Sequence, residues 1–134
     1  MILKGRAISK GSGRGELLVS PAPISFLSGV DPETGIVIEK GHPLEGESVA
    51  GRVLAFPYGK GSTVGSYVIY ALAQNGRAPA AIINTEAEAI IAVGAIIAGI
   101  PMIDSLPADL SDLPGGSIVT VDGDTGELAC DDAT

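Results

Sequence analysis

Apolar and polar positions change rhythm about a third of the way along the chain. Residues 2–8 and 16–20 alternate weakly and are bounded by glycines, which predicts strands. Residues 20–47 form a long irregular run rich in Pro and Gly, with Ile36-Val37-Ile38 as a short strand inside it. The remainder is more regular. Residues 52–56 form a buried strand and 57–61 a loop. A helix follows from Ser62, with Val64, Tyr67, Val68, Ala71 and Leu72 on one face and Asn75-Gly76 as its stop. The next strand is 80–83. Thr85 and Glu88 have the spacing of a capping box and open a helix over 86–98, closed by Gly99 and Pro101. Residues 101–103 form a third short strand, and 119–121 with 127–129 a terminal hairpin.

The central β-α-β-α-β order predicts right-handed crossovers and a small parallel sheet. Strands at both chain ends predict a second β layer, so the expected architecture is a β/β/α form of the α/β class. The helix over 86–98 is apolar on nearly every side, through Ala87, Ala89, Ile90, Ile91, Val93, Ile96 and Ile97. A helix of that kind is either sandwiched inside the domain or covered by a partner.

A length of 134 residues suits one domain, 1–134, with a polar tail from about 130. Sixteen acidic against eight basic residues give a net charge of −8, which argues against nucleic-acid binding. The longest apolar stretch is too short to span a bilayer, and no signal-like segment opens the chain; a cytoplasmic location is expected. The single cysteine, Cys130, cannot form an internal disulfide or by itself hold a zinc or iron–sulfur centre. It reads as an incidental surface thiol in a polar tail.

Candidate chemistry concentrates in Gly59-Lys60-Gly61-Ser62-Thr63, between a strand end and a helix start. Ligands of parallel sheets bind at such a place. Glycines permit close backbone approach, and the first helical N–H groups lack internal partners and favour negative charge. The spacing excludes a P-loop, because Gly61 separates Lys60 from Ser62 and position 55 is Ala. Gly59, Gly61 and Gly65 do not space as a dinucleotide fingerprint. Gly65 falls one residue late for a hydrolase elbow, and the lone His42 reads as a turn residue. Two readings fit Ser62 on these grounds: a helix cap, or a serine whose ionised oxygen is stabilised by neighbouring amides.

The stretch Phe56-Pro-Tyr-Gly-Lys-Gly-Ser-Thr-Val-Gly-Ser-Tyr-Val-Ile-Tyr70 resembles the small subunit of the aconitase X family, whose archaeal members are phosphomevalonate dehydratases. Segments 20–35, 41–54 and 84–101 extend the resemblance over most of residues 15–105. It implies a swivelling β/β/α domain and a larger partner subunit holding an iron–sulfur cluster, of the 4Fe-4S type, through its own cysteines. It implies dehydration of (R)-5-phosphomevalonate to trans-anhydromevalonate 5-phosphate, a step in an archaeal mevalonate pathway leading to isoprenoids. Ser62 matches the family's proton acceptor. Gly59, Lys60, Gly61 and Thr63 are then substrate-binding candidates, with Asp31 and Asn84 as further ones whose plain roles are turn former and helix cap. Ordinary aconitases follow the loop serine with Ser-Arg; Thr63-Val64 stand here, which speaks against a citrate or isocitrate substrate. Lys60, Arg52 and Arg14 are the cations available for a carboxylate or phosphate. Two other functions stay open: a related dehydratase, such as one acting on cis-3-hydroxyproline, and a non-catalytic anion-binding module.

Overall fold

The computed structural model describes residues 2–60 and 65–130. Eight strands form one mixed sheet. They are β1 (Ile2–Lys4), β2 (Arg6–Ser9), β3 (Ser12–Val19), β4 (Val53–Phe56), β5 (Ala81–Asn84), β6 (Met102–Asp104), β7 (Ile118–Asp122) and β8 (Glu127–Cys130). Among the described residues three α-helices accompany them, the short α1 (Phe26–Gly29), α2 (Gly65–Gln74) and α3 (Ala89–Ala98), with one 3-10 turn at Leu110–Asp112. The strand order is β1-β8-β7-β3-β4-β5-β6-β2. β3, β4, β5 and β6 run parallel, and the other pairings are antiparallel.

The two edges of this sheet are consecutive pieces of chain. β1 pairs with β8 and β2 with β6, and only Gly5 stands between them. The sheet therefore closes on itself. The sequence predicts a single strand over 2–8. The structure divides it at Gly5, whose N–H donates to the Gly126 carbonyl at 2.8 Å and whose Cα faces the Asp104 carbonyl with no room for a Cβ. Gly13 and Gly15 likewise let β3 lie against the Ala80 and Gly51 carbonyls. That close approach is why β3 begins at Ser12, earlier than the alternation predicts.

Closure leaves two cores. Leu17, Val53, Ala55, Ala81, Ile83, Ile103, Val119, Val121 and Leu128 fill the space between the parallel strands and the β7–β8 hairpin. Leu54, Phe56, Ile82 and Met102 point the other way, against Ile69 and Leu72 of α2 and Ile91 and Ala95 of α3. The central strands are thus buried on both faces, and the layers are β/β/α, as the sequence pattern predicts.

Several local expectations change. Residues 36–38 make only isolated bridges, Val30 with Val37 and Ile36 with Ser48, and no strand. The 20–47 run instead contains α1, and it packs Phe26 on Phe56 with ring centroids 5.8 Å apart. On α2 the buried residues are Gly65, Ile69 and Leu72; Tyr67, expected inward, is 72% exposed. Val64 and the Ser62 start of that helix lie outside the described residues. Thr85 is not the cap of α3. Glu88 is, accepting from the Ile90 and Ile91 N–H groups at 3.3 and 2.9 Å, so the helix starts at Ala89. A carboxylate at that position satisfies two free amides and meets the positive end of the helix dipole. Cys130 is the last residue of β8 and packs at the edge of the barrel core, not in a tail.

Because Gly5 meets rigid backbone, Gly5→Ala should destabilise the chain by about 1–3 kcal/mol. Urea denaturation followed by far-UV circular dichroism should show a lower midpoint with an unchanged slope.

Candidate functional site

The parallel strands end in step. Phe56, Asn84 and Asp104 stand side by side in register at the carboxyl ends of β4, β5 and β6. The alignment continues one residue outward: the Thr85 N–H donates to the Pro57 carbonyl at 3.1 Å, and the Ser105 N–H to the Thr85 carbonyl at 3.1 Å. On β4, β5 and β6 polar side chains occur only at this edge because the strands behind it are buried on both faces. The glycine-rich segment leaves β4 here, and α2 begins at its far side. Gly61, Ser62 and Thr63 lie outside the described residues. Their flanks define the place.

On the near flank, Gly59 forms a parallel bridge with Ile24, and the Lys60 N–H donates to the Ile24 carbonyl at 3.0 Å. A Cβ on Gly59 would overlap the Ile91 side chain and come within 3.4 Å of the Glu88 carboxylate. This close approach of the loop to α3 is what glycine at 59 permits. Gly59, Lys60 and Gly65 line a small cleft of about 70 Å³ together with Phe26, Glu88, Ile90 and Ile91. Phe26, Glu88 and Glu39 were not predicted here. Lys60 Nζ stands 3.2 Å from the Glu39 carboxylate, so this cation is already paired, though both groups keep solvent contact. An exposed pair of this kind is worth about 0.2–1 kcal/mol and yields readily to a stronger anion.

Asn84 is completely buried. Its Nδ2 donates to the Phe56 carbonyl at 3.0 Å and to the Ile83 carbonyl at 3.2 Å, which ties the end of β4 to β5. Its Oδ1 is buried with no hydrogen-bond partner among the described residues. A buried acceptor left unpaired is costly, and such groups concentrate where a fold does chemistry.

The other candidates are elsewhere. Asp31 makes a local turn, its Oδ1 accepting from the Glu33 N–H at 2.9 Å. The adjacent Pro32 carbonyl accepts from Asn75 just beyond the end of α2, 2.7 Å away. The 10-residue α2 measures about 15 Å. Asp31 therefore lies near the opposite end of α2 from the loop and is not brought to this edge. Arg52 precedes β4, at the end away from the loop, and is paired with Glu16 and Glu47. Arg14 on β3 faces Thr120 beyond that same end. His42 is a fastener: Leu44 N–H donates to its Nδ1 and its Nε2 bonds the Pro23 carbonyl, both at 3.0 Å. This fixes the ring as the Nε2–H tautomer and pins the irregular run in place.

Sequence reading missed Asp104. Its carboxylate is buried, forms a two-pronged pair with Arg6 at 3.0 and 2.7 Å, and accepts from the Ala87 N–H at 2.7 Å. Burial opposes its ionisation. The Arg6 guanidinium, the Ala87 N–H and Ser105 outweigh that and hold the carboxyl below its ordinary value. Ser105, which follows, is the one non-glycine residue with positive φ among those described, at 58°. A polar residue directly after the buried Met102-Ile103 pair was the available signal. The pair joins β2 to the turn before α3, so it closes the barrel at the end that carries the site. Among the described residues no three His, Cys, Asp or Glu side chains come together as a metal site, and no helix is long and apolar enough to cross a membrane.

A family model described as the aconitase X swivel domain matches residues 2–130. The chain is 59% identical over 128 residues to a protein of Pyrococcus furiosus named phosphomevalonate dehydratase small subunit, covering 96% of this chain and 94% of that one. A protein of the same name from Methanosarcina acetivorans is 58% identical over 127 residues, covering 94% and 88%. The crystal structure of Thermococcus kodakaraensis aconitase X in its holo-form superposes with a TM-score of 0.92 at 56% identity, covering 97% of this chain and 98% of that one. A second relative, solved by solution NMR, gives 0.88 at 48% identity and the same coverage.

An aspartate with a lowered pKa stabilises the fold above the ordinary carboxylate range, and that stability is lost as pH falls through the folded value. Asp104→Asn should therefore melt below wild type by a constant margin from pH 7 to about pH 4. The margin should narrow at lower pH in differential scanning fluorimetry; a margin constant down to pH 2 would contradict the ion-pair account.

Proposed function

The chain belongs to the aconitase X swivel-domain family, and from that premise we propose that it is the small subunit of a phosphomevalonate dehydratase. The observation that carries this is the glycine-serine loop at the carboxyl edge of the parallel strands, in a chain about 58% identical to proteins of that name. In this reading 1–134 is one swivelling domain that acts only with a large subunit, in the cytoplasm. It converts (R)-5-phosphomevalonate to trans-anhydromevalonate 5-phosphate by loss of water.

Ser62 is the proton acceptor. Its ionised oxygen takes a proton from the carbon beside the substrate carboxylate while the 3-hydroxyl departs from the neighbouring carbon. The first amides of α2 offer hydrogen bonds and the positive end of a helix dipole to the charge that results. Lys60 exchanges Glu39 for a substrate oxyanion at modest cost, since that pair is exposed. Asn84 Oδ1 is the acceptor available on the strand side of the loop.

An iron–sulfur cluster does not fit this chain: ligation takes several thiolates, and Cys130 stands alone on β8. In this reading the large subunit's cysteines hold it, and it supplies Lewis acidity toward the leaving hydroxyl. Among the described residues no cluster of His, Cys, Asp or Glu side chains could hold a metal in that role.

Ser62→Ala, assembled with the large subunit under anaerobic conditions, should lower kcat on 5-phosphomevalonate by about 10²–10⁴-fold with a smaller change in KM. Unchanged kcat would reduce the loop to an anion-binding element. Activity of the wild-type pair on cis-3-hydroxyproline and none on 5-phosphomevalonate would replace the substrate.

A further inference from the structure

The helical layer carries no charge. None of the eight basic and sixteen acidic residues falls within residues 61–76 or 89–103, which contain all of α2 and α3. The two helices meet closely at Gly94, where a Cβ would stand 3.0 Å from Ile69 Cδ1 and 3.2 Å from Ser66 Cα. Their inner sides, Ile69, Leu72, Ile91 and Ala95, fill the core. Their outer sides remain apolar and open: Tyr67, Tyr70, Val93, Ile96 and Ile97 are all exposed, with Ile97 at 60%. Ser66, Tyr67, Tyr70, Val93 and Ile97 line a groove of about 320 Å³ between the helices. An outer helix face normally carries charge, and a contiguous uncharged one marks an interface.

We propose that this outer α2–α3 face docks the large subunit, an inference that rests on the heteromeric reading given above. Position selects the occupant. Ser66 and Tyr67 belong to the first turn of the helix that follows the serine loop. Ile90, which lines the cleft beside Gly59, precedes Val93 and Ile97 at the spacing of one helical face. The groove is thus continuous with the candidate site. Whatever covers it stands next to the cleft lined by Gly59, Lys60 and Gly65, and in the heteromeric reading the site needs a cluster that a one-cysteine chain does not hold. A second copy seated here would crowd the loop without completing it. The exposed tyrosines and aliphatic residues are the kind that anchor stable interfaces.

The test is calorimetric titration of the full chain into purified large subunit, anaerobically, with wild type, Tyr67→Ala/Ile97→Asp, and the control Ile118→Asp on the barrel side. The double variant should bind about 100-fold or more weaker, and the control as wild type. Matching melting curves should accompany this, because the changed side chains are exposed. As a second measurement that needs no variant, hydroxyl-radical labelling of Tyr67 and Tyr70 in the wild-type chain should fall on adding the large subunit. Unchanged affinity of the double variant, or unchanged labelling in the complex, overturns the surface while leaving the heteromeric reading standing. Light scattering that shows the double variant losing self-association with large-subunit affinity intact assigns the face to a second copy and also overturns it. A wild-type chain that does not bind the large subunit at all overturns the heteromeric reading, and this surface with it.

Discussion

Burial of the central strands on both faces is the constraint from which the rest of this structure follows. All four residues of β4 and all four of β5 are buried, with successive side chains entering different cores. A strand in that position needs an apolar cover on each side. The β7–β8 hairpin with β3 supplies one and α2–α3 supplies the other. Neither cover can be removed without exposing a whole strand face, at roughly 25 cal/mol for each Å² of apolar surface.

The same constraint dictates where chemistry can occur. With both faces closed, polar side chains of β4, β5 and β6 can lie only at strand ends. Asn84 and Asp104 occupy adjacent places at one such end. They are treated differently. Asp104 is fully engaged by Arg6 and the Ala87 N–H, so it belongs to the barrel's closure. Asn84 uses its amide nitrogen to tie the strands and leaves its oxygen without a partner among the described residues. Closure and candidate site thus share one edge, and the firmness of the first gives the second a fixed platform.

The alternation of strands and helices after residue 52 was legible because each element is short, strongly apolar and punctuated by a turn or cap residue. The place of the glycine-rich segment between β4 and α2 was legible too, since glycines between a strand and a helix punctuate both. What misled the reading was periodicity without partners. Tyr67 fits an apolar face by spacing, yet the face that turns inward is set by where α3 lies, and that selects Ile69. Thr85 and Glu88 fit a capping box, yet the Thr85 backbone is held in the row of strand-end hydrogen bonds, so Glu88 caps instead. Asp31 looked like a cleft residue until the chain path carried it to the far end of α2.

The sequence by itself determined the layer order and the parallel core, because these depend on local apolar rhythm and on residue types with few alternatives. Tertiary structure alone decided that residues 2–9 close the barrel through Gly5 and that Asp104 finds Arg6, 98 positions away. It alone decided that the outer α2–α3 face stays open. Each of these is a contact between segments far apart in sequence, and no local pattern encodes which distant backbone or charge will arrive.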